Sequence, residues 1–174
     1  MQLVPDIQER LSSLPETVVD YDRSLLNAEE QKVAAKLIEA AVGAENKLGG
    51  VSIKAEKCKH NATTPVTYIV TSEDNLKTFH TADSQPYPEM ATIAQKEQFD
   101  LVFCTVGIAP GATPQTGAEI AWLTKPKIAV PYHTNTVLSQ KQFQDIIRRE
   151  QPKTTCLIPE QNKIYQVTKP EVKT

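Results

Sequence analysis

The chain has 174 residues, of which 40% are hydrophobic and 23% charged, and its formal net charge is −2. This is the size and composition of one globular domain, and without a basic excess we expect neither a nucleic-acid nor a membrane-surface partner. No apolar run approaches the roughly 20 residues of a membrane span, and the N-terminus lacks the pattern of a secretory leader. Three widely spaced cysteines fit a reducing compartment, so we expect a cytoplasmic protein.

The pattern of residues 1–47 predicts a mainly helical N-terminal part. Apolar residues over 5–14 indicate a short helix, and residues 17–19 indicate a short strand. The clearest helix is predicted to begin after Asn27, a favourable N-cap residue. It ends near Gly43, and its apolar stripe consists of Val33, Leu37, Ile38, Ala41 and Val42.

From residue 48 onward the pattern changes to strands, first alone and then alternating with helices. Alternating or β-branched runs predict strands at 51–55, 66–70, 76–79, 101–106 and 127–130, and a terminal strand pair at 155–158 and 164–167. Amphipathic segments predict helices at 87–97, 115–124 and 139–149.

This order predicts the fold class. Hairpins followed by β-α-β-α-β give an α/β protein with a mixed sheet and flanking helices. We expect a single domain over 1–174, with 1–47 as its helical N-terminal part, 48–168 as the sheet-containing part and 169–174 as a frayed tail. Loops at the strand ends would line one rim, where ligand sites of such sheets lie.

Three polar stretches follow predicted strands and contain every histidine in the chain. They place His60, Asp83 and His133 at strand ends that could meet on one rim. Imidazole and carboxylate groups are ligands of zinc, manganese and iron, so these three residues are candidate metal ligands. Taken singly, a histidine or aspartate near a strand end is also an ordinary hydrogen-bonded or turn residue, and His80 is the histidine that we expect to be structural.

Several of these stretches occur together in one known family. The motifs are Lys59-His60, Tyr68-Ile69-Val70, His80-Thr81-Ala82-Asp83, Gly117-Ala118-Glu119 and, the most specific, Lys125-Pro126-Lys127 followed by Pro131-Tyr132-His133. Over about 48–140 the chain resembles the small metal-dependent hydrolases of the metallo-β-lactamase fold. The resemblance implies the C-terminal part of an αββα sandwich.

The resemblance also implies site roles and chemistry. His60 is similar to the family's third metal-binding histidine, Asp83 to the carboxylate that bridges two metals, and His133 to the last histidine. In the family, two metal ions activate a bridging water that attacks a small ester, lactone or phosphodiester. The implied cofactor is zinc, manganese or iron, and the implied partner is a small-molecule substrate.

The chain departs from the family in its first part. The defining motif H-x-H-x-D-H is missing, because no histidine precedes His60. In its place stands a segment with Asp20 and Asp22, which would be carboxylate ligands for a harder ion than zinc, or else turn and helix-start residues. The opening strands of the sandwich are also missing, which predicts that a homodimer covers the exposed sheet. Finally, Ala82 replaces a family glycine, so the loop geometry is expected to differ.

Three functions follow from these observations. The first is a hydrolase relative whose metal site is incomplete, in which case no metal need bind. The second is an active mono- or dinuclear hydrolase of a small ester, lactone or phosphodiester, and the third is a non-catalytic binding or assembly module. A separate hypothesis concerns Cys58, whose neighbours Lys57 and Lys59 would lower its thiol pKa and make it redox-active.

Overall fold

The computed structural model describes residues 17–18, 37–38, 40–134 and 136–169. Two short strands, β1 and β2, pair in parallel, and seven further strands form one sheet in the order β3-β4-β5-β6-β7-β8-β9. The strands are β1 Thr17–Val18, β2 Leu37–Ile38, β3 Glu45–Leu48, β4 Val51–Lys57, β5 Val66–Thr71, β6 Lys77–His80, β7 Leu101–Thr105, β8 Ile128–Tyr132 and β9 Thr155–Cys156. The helices are α1 Glu89–Glu97, α2 Pro114–Thr124 and α3 Val137–Glu150.

The sheet has an antiparallel half and a parallel half. Strands β3 to β6 form consecutive hairpins, and the β3–β4 turn contains Gly49 at φ +60°, a conformation that suits glycine. Strands β6, β7, β8 and β9 pair in parallel, with α1, α2 and α3 as the connections between them. The predicted α/β fold with a mixed sheet and flanking helices is therefore confirmed.

The main core lies between the sheet and the three helices. Alternate residues of the parallel strands point to this side, and the continuous apolar run of β7 is buried on both of its faces, as its sequence predicts. The largest fully buried side chains here include Phe79, Phe143, Met90, Ile120 and Ile147. Phe79 stacks on Phe99 with ring centroids 4.9 Å apart, which fixes the start of β7 beneath α1.

Helix α2 begins with a complete cap. Thr113 accepts a hydrogen bond from the Thr116 backbone, the Thr116 side chain accepts one from the Thr113 backbone, and Pro114 occupies the first helical position. Gly117 then lies so close to β7 that an added Cβ would be 2.5 Å from Val106 Cγ1. The absence of a side chain at Gly117 thus lets α2 pack directly on the strand that leads to the rim.

The structure corrects three parts of the secondary-structure prediction. Leu37–Ile38 is a strand rather than part of a helix, because it pairs in parallel with Thr17–Val18. Residues 164–167 form no strand, and Ile164 is almost fully exposed, so only Thr155–Cys156 extends the sheet. Strand Glu45–Leu48 was not predicted, and with Leu37–Ile38 it shows that 1–47 is not wholly helical. At Leu37–Ile38, pairing with the distant Thr17–Val18 outweighs local helix propensity.

Other predictions lie outside the described residues. These are the helix at 5–14, the greater part of the helix after Asn27, the candidate ligands Asp20 and Asp22, and the tail after Lys169. Within the part of the chain that the structure describes, no helix has the length and apolar character needed to cross a membrane.

Candidate functional site

The three sequence-predicted metal ligands all lie at one edge of the sheet, which we call the rim. Strands β4, β6, β7 and β8 run in the same direction, so their carboxyl ends meet at this edge. His60 follows β4, Asp83 follows β6 and His133 follows β8. The rim is the place where strand-end side chains of α/β sheets bind ligands.

Backbone hydrogen bonds connect the His60 segment to the Asp83 loop. The Lys59 backbone N–H donates to Ser84 Oγ at 2.9 Å, and the Gln85 backbone N–H donates to the Lys59 carbonyl at 3.0 Å. Because Lys59 and Ser84 are the immediate neighbours of His60 and Asp83, the two loops are held side by side. The structure therefore brings both segments to the same part of the rim.

Asp83 and His133 are in direct contact. The Oδ1 atom of Asp83 lies 2.8 Å from Nδ1 of His133, and the two side chains retain 43% and 28% of their exposure. Nδ1 itself is buried and forms no hydrogen bond of acceptable geometry, so the carboxylate oxygen lies away from the direction of a ring N–H. A buried imidazole nitrogen without an aligned partner is a polar atom that a cation could satisfy.

The backbone of Ala82 holds Asp83 toward His133. Ala82 has φ +46° and His133 has φ +52°, so both residues adopt the left-handed conformation that most non-glycine residues avoid. Ala82 thus occupies the conformation in which alanine is disfavoured, and the expected difference from the family's loop stays a prediction. Strained backbone of this kind persists only where the surrounding structure determines it.

Hydrogen bonds from two hydroxyl groups hold Ala82 in this conformation. The carbonyl oxygen of Ala82 accepts hydrogen bonds from the hydroxyl groups of Tyr132 and Thr105. Thr81 is fully buried, and its Oγ1 donates to the Phe103 carbonyl at 2.8 Å and lies 3.2 Å from Thr105 Oγ1. The loop is thus bound to β7 and β8 on both sides of the peptide that precedes Asp83.

The sequence analysis did not identify Thr81, Thr105 or Tyr132 as residues of the site. Each has the type expected of an ordinary strand or strand-end residue. The hydrogen bonds of Thr105 and Tyr132 to Ala82, and of Thr81 to Phe103, become visible only when β6, β7 and β8 are side by side. The signal available in the sequence was the adjacency of Tyr132 to His133 and of Thr81 to Ala82.

His80 forms the aromatic base of the loop, as its expected structural role requires. Its ring packs on Tyr132 at 4.8 Å and on Phe103 at 5.4 Å between centroids, and Nδ1 accepts the Ala82 backbone N–H at 3.2 Å. Burial lowers the pKa of His80 in spite of the nearby Asp83 charge. Burial also raises the pKa of Tyr132 to about 12, so its hydroxyl remains a donor at neutral pH.

The environment of Cys58 does not lower its thiol pKa, contrary to the prediction from its lysine neighbours. Burial, together with the negative charge of Asp83, raises the pKa of the Cys58 thiol, although a hydrogen bond with Ser84 acts in the opposite direction. The flanking lysines do not face the sulfur, since Lys57 pairs with Glu89 at 3.0 Å and Lys59 Nζ donates to the Pro86 carbonyl. Cys104 is fully buried in the apolar strand β7.

The rim fits a metal ion only in part. Asp83 and His133 provide a carboxylate and an unpartnered nitrogen, but nowhere in the described ranges do three or more His, Cys, Asp or Glu side chains form a group that could hold a metal ion. A catalytic zinc site normally has three protein ligands and a water. The described residues thus supply one ligand fewer than that minimum, and the metal roles of His60, Asp83 and His133 stay predictions.

The sequence limits what could complete such a site. All three histidines and all three cysteines lie within the described ranges. Any further side-chain ligand from the remaining positions would therefore be an oxygen donor, such as Asp20 or Asp22. Oxygen ligands favour harder ions than zinc.

Comparison with known proteins places the fold. No protein-family model matches the sequence, and no curated protein matches it either. Among solved structures, the chain is similar to Igni18, a metallo hydrolase from Ignicoccus hospitalis, with a TM-score of 0.70 and 16% identity over 89% of this chain and 69% of that one. It is also similar to YhfI from Bacillus subtilis, described as a metallo-β-lactamase fold protein, with a TM-score of 0.55 and 13% identity over 71% and 52% of the two chains.

This chain has the metallo-β-lactamase fold. A further similar structure is the diiron β-hydroxylase CmlA from Streptomyces venezuelae, with a TM-score of 0.60 and 10% identity over 81% of this chain and 38% of that one. The chain thus spans about half of YhfI and well under half of CmlA. Because these proteins differ in chemistry, the shared fold leaves the activity to be argued from the site.

Proposed function

We propose that this chain is a relative of the metal-dependent hydrolases whose metal centre is incomplete, and that its rim serves as a small-molecule binding site. The observation that carries the proposal is the isolated Asp83–His133 pair, which no third potential ligand joins in the described part of the chain. Two ligands cannot hold a metal ion in the geometry that activates water in these enzymes.

The spacing of the pair supports this proposal. Two ligand atoms on one tetrahedral zinc, each about 2.1 Å from the metal, are roughly 3.4 Å apart. Asp83 Oδ1 and His133 Nδ1 are 2.8 Å apart. The two atoms are therefore closer together than two ligands of one tetrahedral metal ion would be.

A second candidate is an active hydrolase with a mono- or dinuclear site rich in carboxylates. The observation that favours it is His133 Nδ1, which is buried and has no hydrogen-bond partner of acceptable geometry. In this case Asp20 or Asp22 would complete the site with His60, Asp83 and His133, and manganese or iron would fit better than zinc. The substrate would be a small ester, lactone or phosphodiester.

Metal content distinguishes the two candidates. The protein is purified without chelators, incubated with zinc, manganese or iron(II), freed of excess ion and subjected to elemental analysis. For the incomplete centre we expect no stoichiometric metal in the wild type, in His133→Ala or in Asp83→Asn. One or two ions per chain in the wild type, lost in both variants and retained in the exposed control Asp145→Asn, would instead establish the second candidate.

Activity and ligand binding provide the second half of the test. We expect no metal-dependent hydrolysis of phosphodiester, lactone and ester substrates above that of His133→Ala. A small-molecule screen by NMR should then find ligands that shift the amide signals of Asp83 and Thr134. If no ligand affects this rim and hydrolysis depends on His133, the proposed function is wrong.

Oligomeric state and location belong to the same proposal. We propose a homodimer in the cytoplasm, and light scattering at micromolar concentration tests the first part. A monomer at this concentration would contradict it.

A further inference from the structure

A groove of about 650 Å³ lies at the sheet edge opposite the rim, where β6, β7 and β8 begin and α1 and α2 end. We call it the lysine groove after five of the residues that line it, Lys77, Lys96, Lys125, Lys127 and Lys169. Its volume lies within the range of small-molecule sites, about 300–1,000 Å³.

The lysine groove carries a positive charge on a chain that is acidic overall. Glu97 and Asp100 are the carboxylates that line it, so five lysines and two carboxylates leave a net charge of +3, against −2 for the whole chain. Lys77 pairs with Glu97 at 2.6 Å, and Lys127 pairs with Asp100 at 2.7 Å. The other three, Lys96, Lys125 and Lys169, form no ion pair with a described residue.

The helix ends account for only part of this charge. Helices α1 and α2 end at Gln98 and Lys125, both left-handed C-caps, and each helix C-terminus carries a partial charge of about −0.5. Two such ends offset about one positive unit of the three. An excess of about two positive units therefore faces the groove, which matches the charge of a phosphate dianion.

The floor of the groove adds an apolar surface. Leu123 and Ala91, both half-buried, line it together with the buried Phe99 and Ala94. Phe99 is 2% exposed and stacks on Phe79, so it supports this surface from below, and Leu123 and Ala91 are the apolar side chains that a ligand could reach. A pocket that combines apolar side chains with an excess of positive charge suits a ligand with one anionic end and one apolar end.

We propose that the lysine groove binds an organic phosphate, with the phosphate between Lys96, Lys125 and Lys169 and the apolar group on the floor. The site does not depend on the metal centre or on the proposed function. Strands β6 to β8 separate it from Asp83 and His133 by roughly 13–17 Å, the length of a four- or five-residue strand.

Calorimetric titration of the full chain with phenylphosphonate tests the proposal. This probe carries a phosphate-like dianion on an aromatic ring and cannot lose its phosphorus group by ester hydrolysis. We expect saturable binding that is tighter than that of inorganic phosphate, and no binding of benzyl alcohol, which lacks the charge. The double variant Lys96→Glu/Lys125→Glu should bind at least about tenfold more weakly, because each reversal changes the local charge by two units.

A matched control separates the groove from the net charge of the protein. Lys141→Glu/Lys153→Glu makes the same change in total charge at exposed positions outside the groove, and it should leave the affinity unchanged. If the reversal variant does not fold, Lys96→Gln/Lys125→Gln provides the same comparison. No saturable binding to the wild type, or equal weakening in the groove and control variants, would overturn the proposal.

Discussion

The hydroxyl of Tyr132 donates a hydrogen bond to the carbonyl of Ala82, which lies 50 residues earlier in the chain. Tyr132 is the last residue of β8 and Ala82 lies in the loop after β6, so the bond crosses over β7. It fixes the peptide that lies between the His80 ring and the Asp83 carboxylate in the chain. The contact between Asp83 and His133 therefore depends on a residue that is itself not a candidate ligand.

Replacing Tyr132 with phenylalanine tests this dependence. We expect the free energy of unfolding to fall by about 1 kcal/mol, because the Ala82 carbonyl loses one of its two donors and keeps Thr105. Urea denaturation measures the loss, and amide hydrogen exchange should become faster at residues 81–84. Tyr165→Phe, which removes a hydroxyl that hydrogen-bonds to Glu160 far from this loop, should leave exchange at 81–84 unchanged. Unchanged exchange at 81–84 in Tyr132→Phe would show that the bond does not hold the loop.

Ala82→Gly should stabilise the protein. The left-handed conformation costs alanine about 1–2 kcal/mol, and glycine returns about 0.5–1 kcal/mol of this through its more flexible unfolded state. The expected net gain is about 0.5–1 kcal/mol in thermal or urea unfolding. Ala112→Gly is the control, because Ala112 lies outside the positive-φ region and should become slightly less stable. A loss of stability in Ala82→Gly would indicate that the Ala82 methyl group makes a favourable contact.

Asp100 should make stability depend on acid pH. Burial alone would raise the pKa of its carboxyl group, but hydrogen bonds from the Lys127 side chain and the Lys77 backbone hold this pKa below its ordinary value. The stabilisation is therefore complete above the ordinary pKa of an aspartate, about 3.9, and is lost as the pH falls through the lower, folded-state pKa.

Asp100→Asn should remove this part of the pH dependence. At pH 7 we expect a loss of about 1.5–3 kcal/mol, since the amide cannot accept both hydrogen bonds as an anion does. Urea denaturation from pH 7 to pH 3 measures both effects. The exposed Asp145→Asn should keep the wild-type profile. If Asp100→Asn follows the wild-type curve, the two hydrogen bonds contribute no net stability.

Gly117→Ala should destabilise the protein although alanine is the better helix former. The new Cβ would lie 2.5 Å from Val106 Cγ1 and 2.9 Å from the Thr105 carbonyl oxygen, so α2 would have to move away from β7. Overpacking of this kind costs about 1–3 kcal/mol, measured by thermal unfolding. Glu119→Ala on the exposed side of the same helix should be nearly neutral. A neutral Gly117→Ala would mean that the helix shifts without loss.

Much of the sheet and the three helices of the described ranges could be predicted from local patterns. The alternation in 51–55 and the apolar run of 101–106 each correspond to an observed strand, and the helices at 89–97, 114–124 and 137–150 lie within two residues of their predicted bounds. These elements can be identified because an element that buries one face has apolar residues at a regular spacing, and a strand that buries both faces has a continuous apolar run. The strand Leu37–Ile38 was wrongly predicted as helix, because two adjacent apolar residues are compatible with a helix and with a strand.

The chemistry of the rim was only partly visible in the sequence. The motifs identified Asp83 and His133 and predicted that strand ends would bring them to one edge. The 2.8 Å contact, the unpartnered Nδ1 and the positive φ of Ala82 could not be predicted, because each depends on how three strands are placed beside one another. The lysine groove could not be predicted either, because its lysines come from four separate segments of the chain.

The sequence by itself determined the α/β class, the set of histidines and the lack of an H-x-H-x-D-H motif. These are properties of local periodicity and composition, which need no neighbours to be recognised. The tertiary structure alone decided that Tyr132 and Thr105 hold the Ala82 carbonyl and that Asp83 meets His133 without a third ligand in the described ranges. Such contacts join residues that are far apart in the chain, and only the order and register of β6, β7 and β8 bring them within hydrogen-bond distance.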